Sequence, residues 1–329
     1  MRRTDRQPER TDAPDPKPPC AAFFLVGPTA VGKSAVAQFL AEREGWDILS
    51  ADAMLVYRGM DIGTDKPTEE DRRRVRHDGM DLVSPGEPFS VGGYIEHARG
   101  VFRRAAQAGR TLLVAGGTGL YVKCLTEGLD RLPAADAAIR SRAEALLERE
   151  GVEGLQRELR SRDPQRFEAL SDPRNPRRLI RALELAGHSA ARARSWPGVS
   201  AAPLAGLRME PESLRRRIDA RVRRMYEGGL LAEVEELAIR HPTLSRTALQ
   251  AIGYGEAWAV RRKEISLEEA IERTASRTRQ LAKRQMTWFR HQAHVEWVDV
   301  DPAEELESTA GKVFSVWKKH GPTAVHIGI

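Results

Sequence analysis

The sequence contains no run of about 18 or more apolar residues, so no helix long enough to span a membrane is expected. Cysteine is nearly absent. Cys20 and Cys124 are the only two, and they suggest neither a disulfide framework nor a zinc site. The eight histidines show no metal-ligand spacing, His291 and His294 included. The amino-terminal stretch MRRTDRQPERTDAPDPKPPC lacks the apolar core of a secretory signal. It is polar, charged and proline-rich, and residues 1–20 read as a disordered tail. No internal repeat is present. These absences make the cytoplasm the expected compartment.

What the chain does have is an ordinary globular balance: 41% hydrophobic and 30% charged residues in 329 positions. That is enough for one large domain or two modest ones. The net charge is only +6, but arginines gather in 215–224 and again in 273–290. Localised cations favour a polyanionic partner through counterion release; a charge run by itself more often marks a solvated helix face.

The first part of the chain alternates between strands and helices. Ala21 to Val26 is a short apolar run, a helix is expected over 34–44, and Asp47 to Ser50 is a second strand ending before Ala51-Asp52. Another buried strand, 111–115, runs into Gly116-Gly117-Thr118-Gly119. The fold class this implies is α/β, a parallel sheet flanked by helices, with ligands at the carboxyl ends of the strands. Leu132-Pro133 opens a different section, with helical spacing over 134–150. Asn175 then reads as an N-cap, Pro176 as the first turn and Gly187 as the end of a helix. Residues 131–204 are therefore expected to be an all-helical insertion, closed by a loose segment over 195–203. The core is expected over 21–130 and 205–329, mainly helical from Leu207 onward.

Gly27-Pro28-Thr29-Ala30-Val31-Gly32-Lys33-Ser34 fits G-x-x-x-x-G-K-[ST] between an apolar strand and a helix. Glycines let the backbone wrap a phosphate, Lys33 adds charge, and the Ser34 hydroxyl can ligate Mg²⁺. The loop alone does not say which phosphate compound it holds. Hydrolases with this loop usually carry an aspartate after a second buried strand; here that strand ends in Gly-Gly-Thr. The acidic candidate is Asp52 instead, which on residue type alone could be a general base, a Mg²⁺ ligand or a helix cap.

Two helical patterns add to this. Leu214, Ile218, Val222 and Met225 form one stripe, and Arg221 falls inside it. A guanidinium facing the core requires an anion. A bound diphosphate would serve, and so would an internal carboxylate; Arg217, one turn earlier, is the second choice. Over 269–292, Ile271, Ala275, Thr278, Ala282, Met286 and Phe289 share one face. Arg273, Arg277, Gln280, Arg284, Trp288 and His291 share the other, flanked by Lys283 and Arg290. Cations interleaved with an aromatic ring suit a single-stranded RNA loop, although a solvated basic helix has the same pattern. Arg177, Arg178 and Arg181 likewise stand off the apolar stripe of their helix.

In order along the chain, GPTAVGKS, ILSADAMLVYRGMDIGTDKP, LVAGGTGLYVKCL, PRRLIRALE and RQLAKRQMTWFR resemble the tRNA dimethylallyltransferase (tRNA isopentenyltransferase) family. The likeness spans roughly residues 21–300. It implies a P-loop NTPase-like fold, Mg²⁺ as cofactor, and transfer of the dimethylallyl group of dimethylallyl diphosphate to N6 of the adenosine 3′ of the anticodon. The substrates implied are tRNAs reading codons that begin with U. The adenosine would be flipped into a channel to meet the diphosphate. Asp52 aligns with the family's aspartate that contacts N6 and serves as general base, Thr118 with a threonine beside it, and residues 27–34 with the diphosphate loop; Arg221 matches a diphosphate-binding arginine.

The same resemblance implies tRNA contacts at Asp52, Ala53, Met54, Leu55 and Thr118. It adds Arg140, then Arg177, Arg178, Leu179, Ile180 and Arg181, then Lys283, Arg284, Trp288 and Arg290. Ala53 stands where a serine is common, and Gly255 where a basic or larger residue often follows Gly-Tyr. The partners implied are a tRNA anticodon loop and dimethylallyl diphosphate, and a monomer is expected. Adenylate isopentenyltransferases, small-molecule P-loop kinases and non-catalytic RNA-binding proteins are the competing readings.

Overall fold

The structure, a computed structural model, describes residues 20–129, 136–186 and 203–327. The expected tail (Cys20 apart), Leu132-Pro133, Gly187 and most of the 195–203 segment lie outside the described residues.

The larger of two compact units comprises residues 1–129 and 198–329. It is built on strands β1 Ala21–Val26, β2 Asp47–Ser50, β3 His77–Asp78, β4 Leu112–Gly116, β5 Leu204–Arg208, β6 Val295–Asp299 and β7 Thr323–Ala324. Their order is β3-β2-β4-β1-β5-β6, all parallel, with β7 antiparallel to β1 through Ala21 and Ala22. A central parallel strand must be apolar on both faces. In β1, Phe24 and Val26 pack with Tyr94, Phe102, Val114 and Phe289 on one side. Leu25, pointing the other way, packs with Leu40, Leu113, Val313 and Trp317. The helix Val91–Gln107 covers the first face, and Lys33–Glu44 with Leu306–His320 covers the second.

From Leu207 onward the chain is mainly helical, as expected, but two strands of the sheet went unread. β5 and β6 extend the sheet, and β5 begins at Leu204, inside the segment assigned to the insertion. Gly206 interrupts the apolar run of β5 because the Val295 and Trp297 side chains occupy the space above it. The strand therefore shows neither alternation nor a continuous run.

Residues 130–197 form the second unit. Its helices are Ala137–Arg162, broken at Gly151, then Pro164–Glu168 and Pro176–Leu185. Leu155, Leu159, Phe167, Leu179, Ile180 and Leu183 make its core. Asn175 caps the last helix by accepting the Arg177 and Arg178 N–H groups, with Pro176 in the first turn, as its sequence suggests.

Candidate active site

The phosphate loop joins β1 to the helix Lys33–Glu44. Its backbone takes positive φ at Gly27, Ala30 and Gly32. Such alternation turns successive N–H groups toward one point. The helix that follows has no side-chain N-cap, so its first amides are free for an anion. Each loop residue contributes differently. Val31 is fully buried and anchors the loop. Pro28 has no N–H to offer a phosphate, and its carbonyl accepts from Lys33 Nζ at 2.6 Å. The Thr29 N–H is taken by Gln285 Oε1 at 2.8 Å. Ser34 is exposed at the head of the helix.

A cavity of about 980 Å³ opens above the loop, lined among others by Thr29, Lys33, Ser34, Asp52, Asp65, Arg217 and Arg221. Loop and Asp52 therefore face one space. Burial pushes Lys33 from its usual 10.5 down to about 8; Asp52 opposes the shift and Arg221 adds to it. Asp52 follows β2 and is partly buried. Its Oδ1 accepts from the Met54 N–H at 2.9 Å, leaving Oδ2 without a protein donor among the described residues. Thr118 meets this segment through the backbone: its N–H donates to Ala51 O and its Oγ1 accepts from the Ala53 N–H, both at 3.0 Å. Ala53 packs against the core cluster that contains Tyr94 and Tyr121, whose rings stack 3.9 Å apart.

Arg221 enters from the helix Pro211–Glu227, where Ile218, Val222 and Met225 are buried. Its Nη1 lies 3.2 Å from Thr29 Oγ1 and 3.5 Å from the Asp65 carboxylate, and Nη2 lies 3.5 Å from Thr64 O. Of the two anions expected for this guanidinium, the internal carboxylate is the one present, and Arg221 lines the wall of the cavity above the loop. Arg217 is more exposed and also lines the cavity. Its Nη2 lies 3.6 Å from the point a Cβ on Gly32 would occupy.

On the helix Leu267–Gln292, Lys283, Arg284 and Arg290 are exposed and make no ion pair among the described residues. Arg273 pairs with Glu269 at 2.5 Å, and Arg277 pairs with the buried Glu256. Trp288 among these cations is partly buried. Its indole lies over Gly119, where any Cβ would meet it at 2.1 Å, and it packs edge-on to Phe289. Met54 and Leu55 are partly buried. Nothing stands within 4 Å of where a Cβ on Gly255 would be.

In the smaller unit, Leu179 and Ile180 are 0% and 5% exposed. This corrects their expected place at an RNA surface: they form the apolar stripe of their own helix. Arg177 and Arg178 are exposed, and Arg178 bonds Ser171 Oγ. Arg140 and Arg181 both donate to the buried Glu184, at 2.6 and 2.8 Å.

Three residues were passed over from sequence: Gln285, Asp65 and Glu184. Gln285 gave a signal, for it lies three residues after Ala282 and four before Phe289, on the apolar stripe. A polar side chain there needs a partner, the same argument that singled out Arg221. Asp65 and Glu184 gave none.

Two family models match the chain: "IPP transferase" over residues 55–292 and "Isopentenyl transferase" over 20–78. The chain is 41% identical to a protein of Geobacter metallireducens named tRNA dimethylallyltransferase, over 84% of this chain and 91% of that one. It is 40% identical to one of the same name from Thermomicrobium roseum, over 92% and 94%. Among solved structures, a full-length tRNA isopentenylpyrophosphate transferase of Bacillus halodurans aligns with TM-score 0.64 and 36% identity, covering 91% of this chain and 97% of that one. A eukaryotic dimethylallyltransferase acting on tRNA shares the fold at TM-score 0.73 and 23% identity, over 88% and 76%. With its phosphate loop, its Gly-Gly-Thr turn and matches over most of its length, the chain belongs to the IPP transferase family.

Proposed function

We propose that this protein transfers the dimethylallyl group of dimethylallyl diphosphate to N6 of the adenosine 3′ of the anticodon, in tRNAs reading codons that start with U. Diphosphate is released. The observation that carries this reading is that the phosphate loop and the Asp52 carboxylate line one cavity. The relatives named tRNA dimethylallyltransferase support it.

In this reaction the C1–O bond to diphosphate breaks, the N6–C1 bond forms, and N6 loses a proton. Adenine N6 is a poor nucleophile, so a carboxylate that accepts its proton as the bond forms lowers the barrier. Asp52 Oδ2 takes that proton, while the Met54 N–H holds the other oxygen. The leaving diphosphate is met by loop amides, Lys33 and Arg221, with Arg217 at the rim. Lys283, Arg284 and Arg290 hold the RNA backbone. The protein works as a monomer in the cytoplasm.

Mg²⁺ fits this cavity only together with a phosphate ligand. Among the described residues no group of three or more His, Cys, Asp or Glu could hold a metal, but hard oxygen donors are present in the Ser34 hydroxyl and the Asp52 and Asp65 carboxylates. Mg²⁺ is commonly held by one or two such groups plus phosphate oxygens and waters. Ser34 is its expected ligand, and bound there it would offset the charge of the diphosphate.

The test is incubation with labelled dimethylallyl diphosphate and either unmodified tRNA or AMP. Label in tRNA supports the reading; label in AMP alone favours an adenylate isopentenyltransferase. ATP consumption without prenyl transfer favours a kinase. In the same assay Asp52→Ala should lose most of the rate while still binding tRNA, and unchanged turnover would remove Asp52 as the base.

A further inference from the structure

The helix that presents Lys283 and Arg284 to solvent turns one neighbouring side chain inward. Gln285 Oε1 accepts from the Thr29 N–H of the phosphate loop at 2.8 Å, and its Nε2 donates to the Gly117 carbonyl at 3.0 Å. A backbone N–H only donates and a carbonyl only accepts, so the two partners fix which way the amide faces. The contact leaves no room for a side chain at position 117. A Cβ there would stand 2.3 Å from Nε2, so the second glycine of the Gly-Gly-Thr turn is what admits the glutamine.

The consequence lies in what each partner touches next. Thr29 accepts from Arg221 through its hydroxyl. Gly117 precedes Thr118, whose hydroxyl accepts the Ala53 N–H next to Asp52. One side chain therefore joins the anion-holding loop after β1 to the turn after β4 that braces the carboxylate.

We infer that Gln285 is a positioning residue, setting the separation between the diphosphate held by the loop and the base at Asp52. The inference rests on the proposed prenyl transfer. Reacting atoms must approach to about 3–3.5 Å, and a displacement of about 1 Å costs on the order of 100-fold in rate. Gln285 also lines the cavity, but its bonds to Thr29 and Gly117 tie it to the two loops, so its loss should act on the chemical step more than on binding either substrate.

The experiment compares Gln285→Ala and Gln285→Glu with the wild type. Initial rates are taken with labelled dimethylallyl diphosphate and unmodified tRNA, and amide hydrogen exchange at Thr29 is followed without substrates. For Gln285→Ala, kcat should fall at least about tenfold with both KM values within about threefold, and the Thr29 amide should exchange faster. Gln285→Glu keeps the acceptor but sets a carboxylate oxygen against the Gly117 carbonyl. Near neutral pH it should resemble the alanine variant, and its rate relative to wild type should climb as falling pH protonates it and restores a donor.

Unchanged kcat in Gln285→Ala, or unchanged Thr29 exchange, overturns the proposal. So does a fall in kcat/KM carried wholly by the diphosphate KM, which would make Gln285 a substrate contact. A wild type that transfers no label sinks the proposed reaction instead, and the Thr29 exchange still decides whether the link exists.

Discussion

Arg221 reaches Thr29 across 192 residues of chain, its Nη1 standing 3.2 Å from the threonine hydroxyl. The contact brings a cation from an amphipathic helix to the anion loop, and the exposed Asp65 carboxylate 3.5 Å away keeps the guanidinium in place. A diphosphate with more charge and more acceptors can replace that carboxylate. Hydrogen bonds to charged groups contribute about 1.5–3 kcal/mol, so Arg221→Ala should raise the KM for dimethylallyl diphosphate by roughly tenfold or more. Steady-state kinetics at saturating tRNA measures it. Unaltered KM and kcat together would detach Arg221 from the diphosphate.

Lys33 carries a pH signature. Its pKa stands at about 8, below the ordinary 10.5, chiefly because burial disfavours the ammonium. The charged form is the one that meets an anion, so kcat/KM for the diphosphate should decline as pH rises through about 8. The sign for folding is opposite. Between the two values the unfolded chain binds the proton and the folded chain does not, so this group's contribution to stability rises with pH there. A rate profile from pH 6.5 to 9.5 tests the first point, and a flat kcat/KM across that range would reject it.

The phosphate loop was readable because its glycines, lysine and serine must keep fixed spacing around an anion, and Arg221 because a cation on an apolar stripe demands a partner. Other features had no local signature. β3 and β7 are two residues each, too short for any period to register. The Trp288 indole falls on the cationic side of a helical wheel, but it packs against Gly119, a residue more than 150 positions earlier whose missing side chain makes the room. Arg140 was legible as a cation and illegible as a structural one, since its partner Glu184 is 44 residues away.

That pairing gives Arg140 a role within the smaller unit. The Glu184 carboxylate is fully buried and receives Arg140 and Arg181. Removing one partner of a buried charge leaves part of its desolvation uncompensated, at roughly 1–3 kcal/mol. Arg140→Ala should therefore lower the melting temperature by several degrees, and adding Glu184→Leu should recover part of the loss. A melting temperature unmoved by Arg140→Ala would reject this role.

The exposed cations of the helix Leu267–Gln292 divide by whether they are already engaged. Arg273 is held by Glu269 at 2.5 Å, whereas Arg284 has no ion pair among the described residues and is open to a phosphate. A phosphate contact releases counterions and steepens the salt dependence of binding by about 0.7–0.9 in the log–log slope. Arg284→Ala should weaken tRNA binding and flatten that slope by roughly this amount. Arg273→Ala should change the slope little, because the wild-type side chain is already neutralised by its neighbour. Binding isotherms from about 50 to 200 mM salt give both slopes. Equal slopes for wild type and Arg284→Ala would move the RNA backbone off this face of the helix.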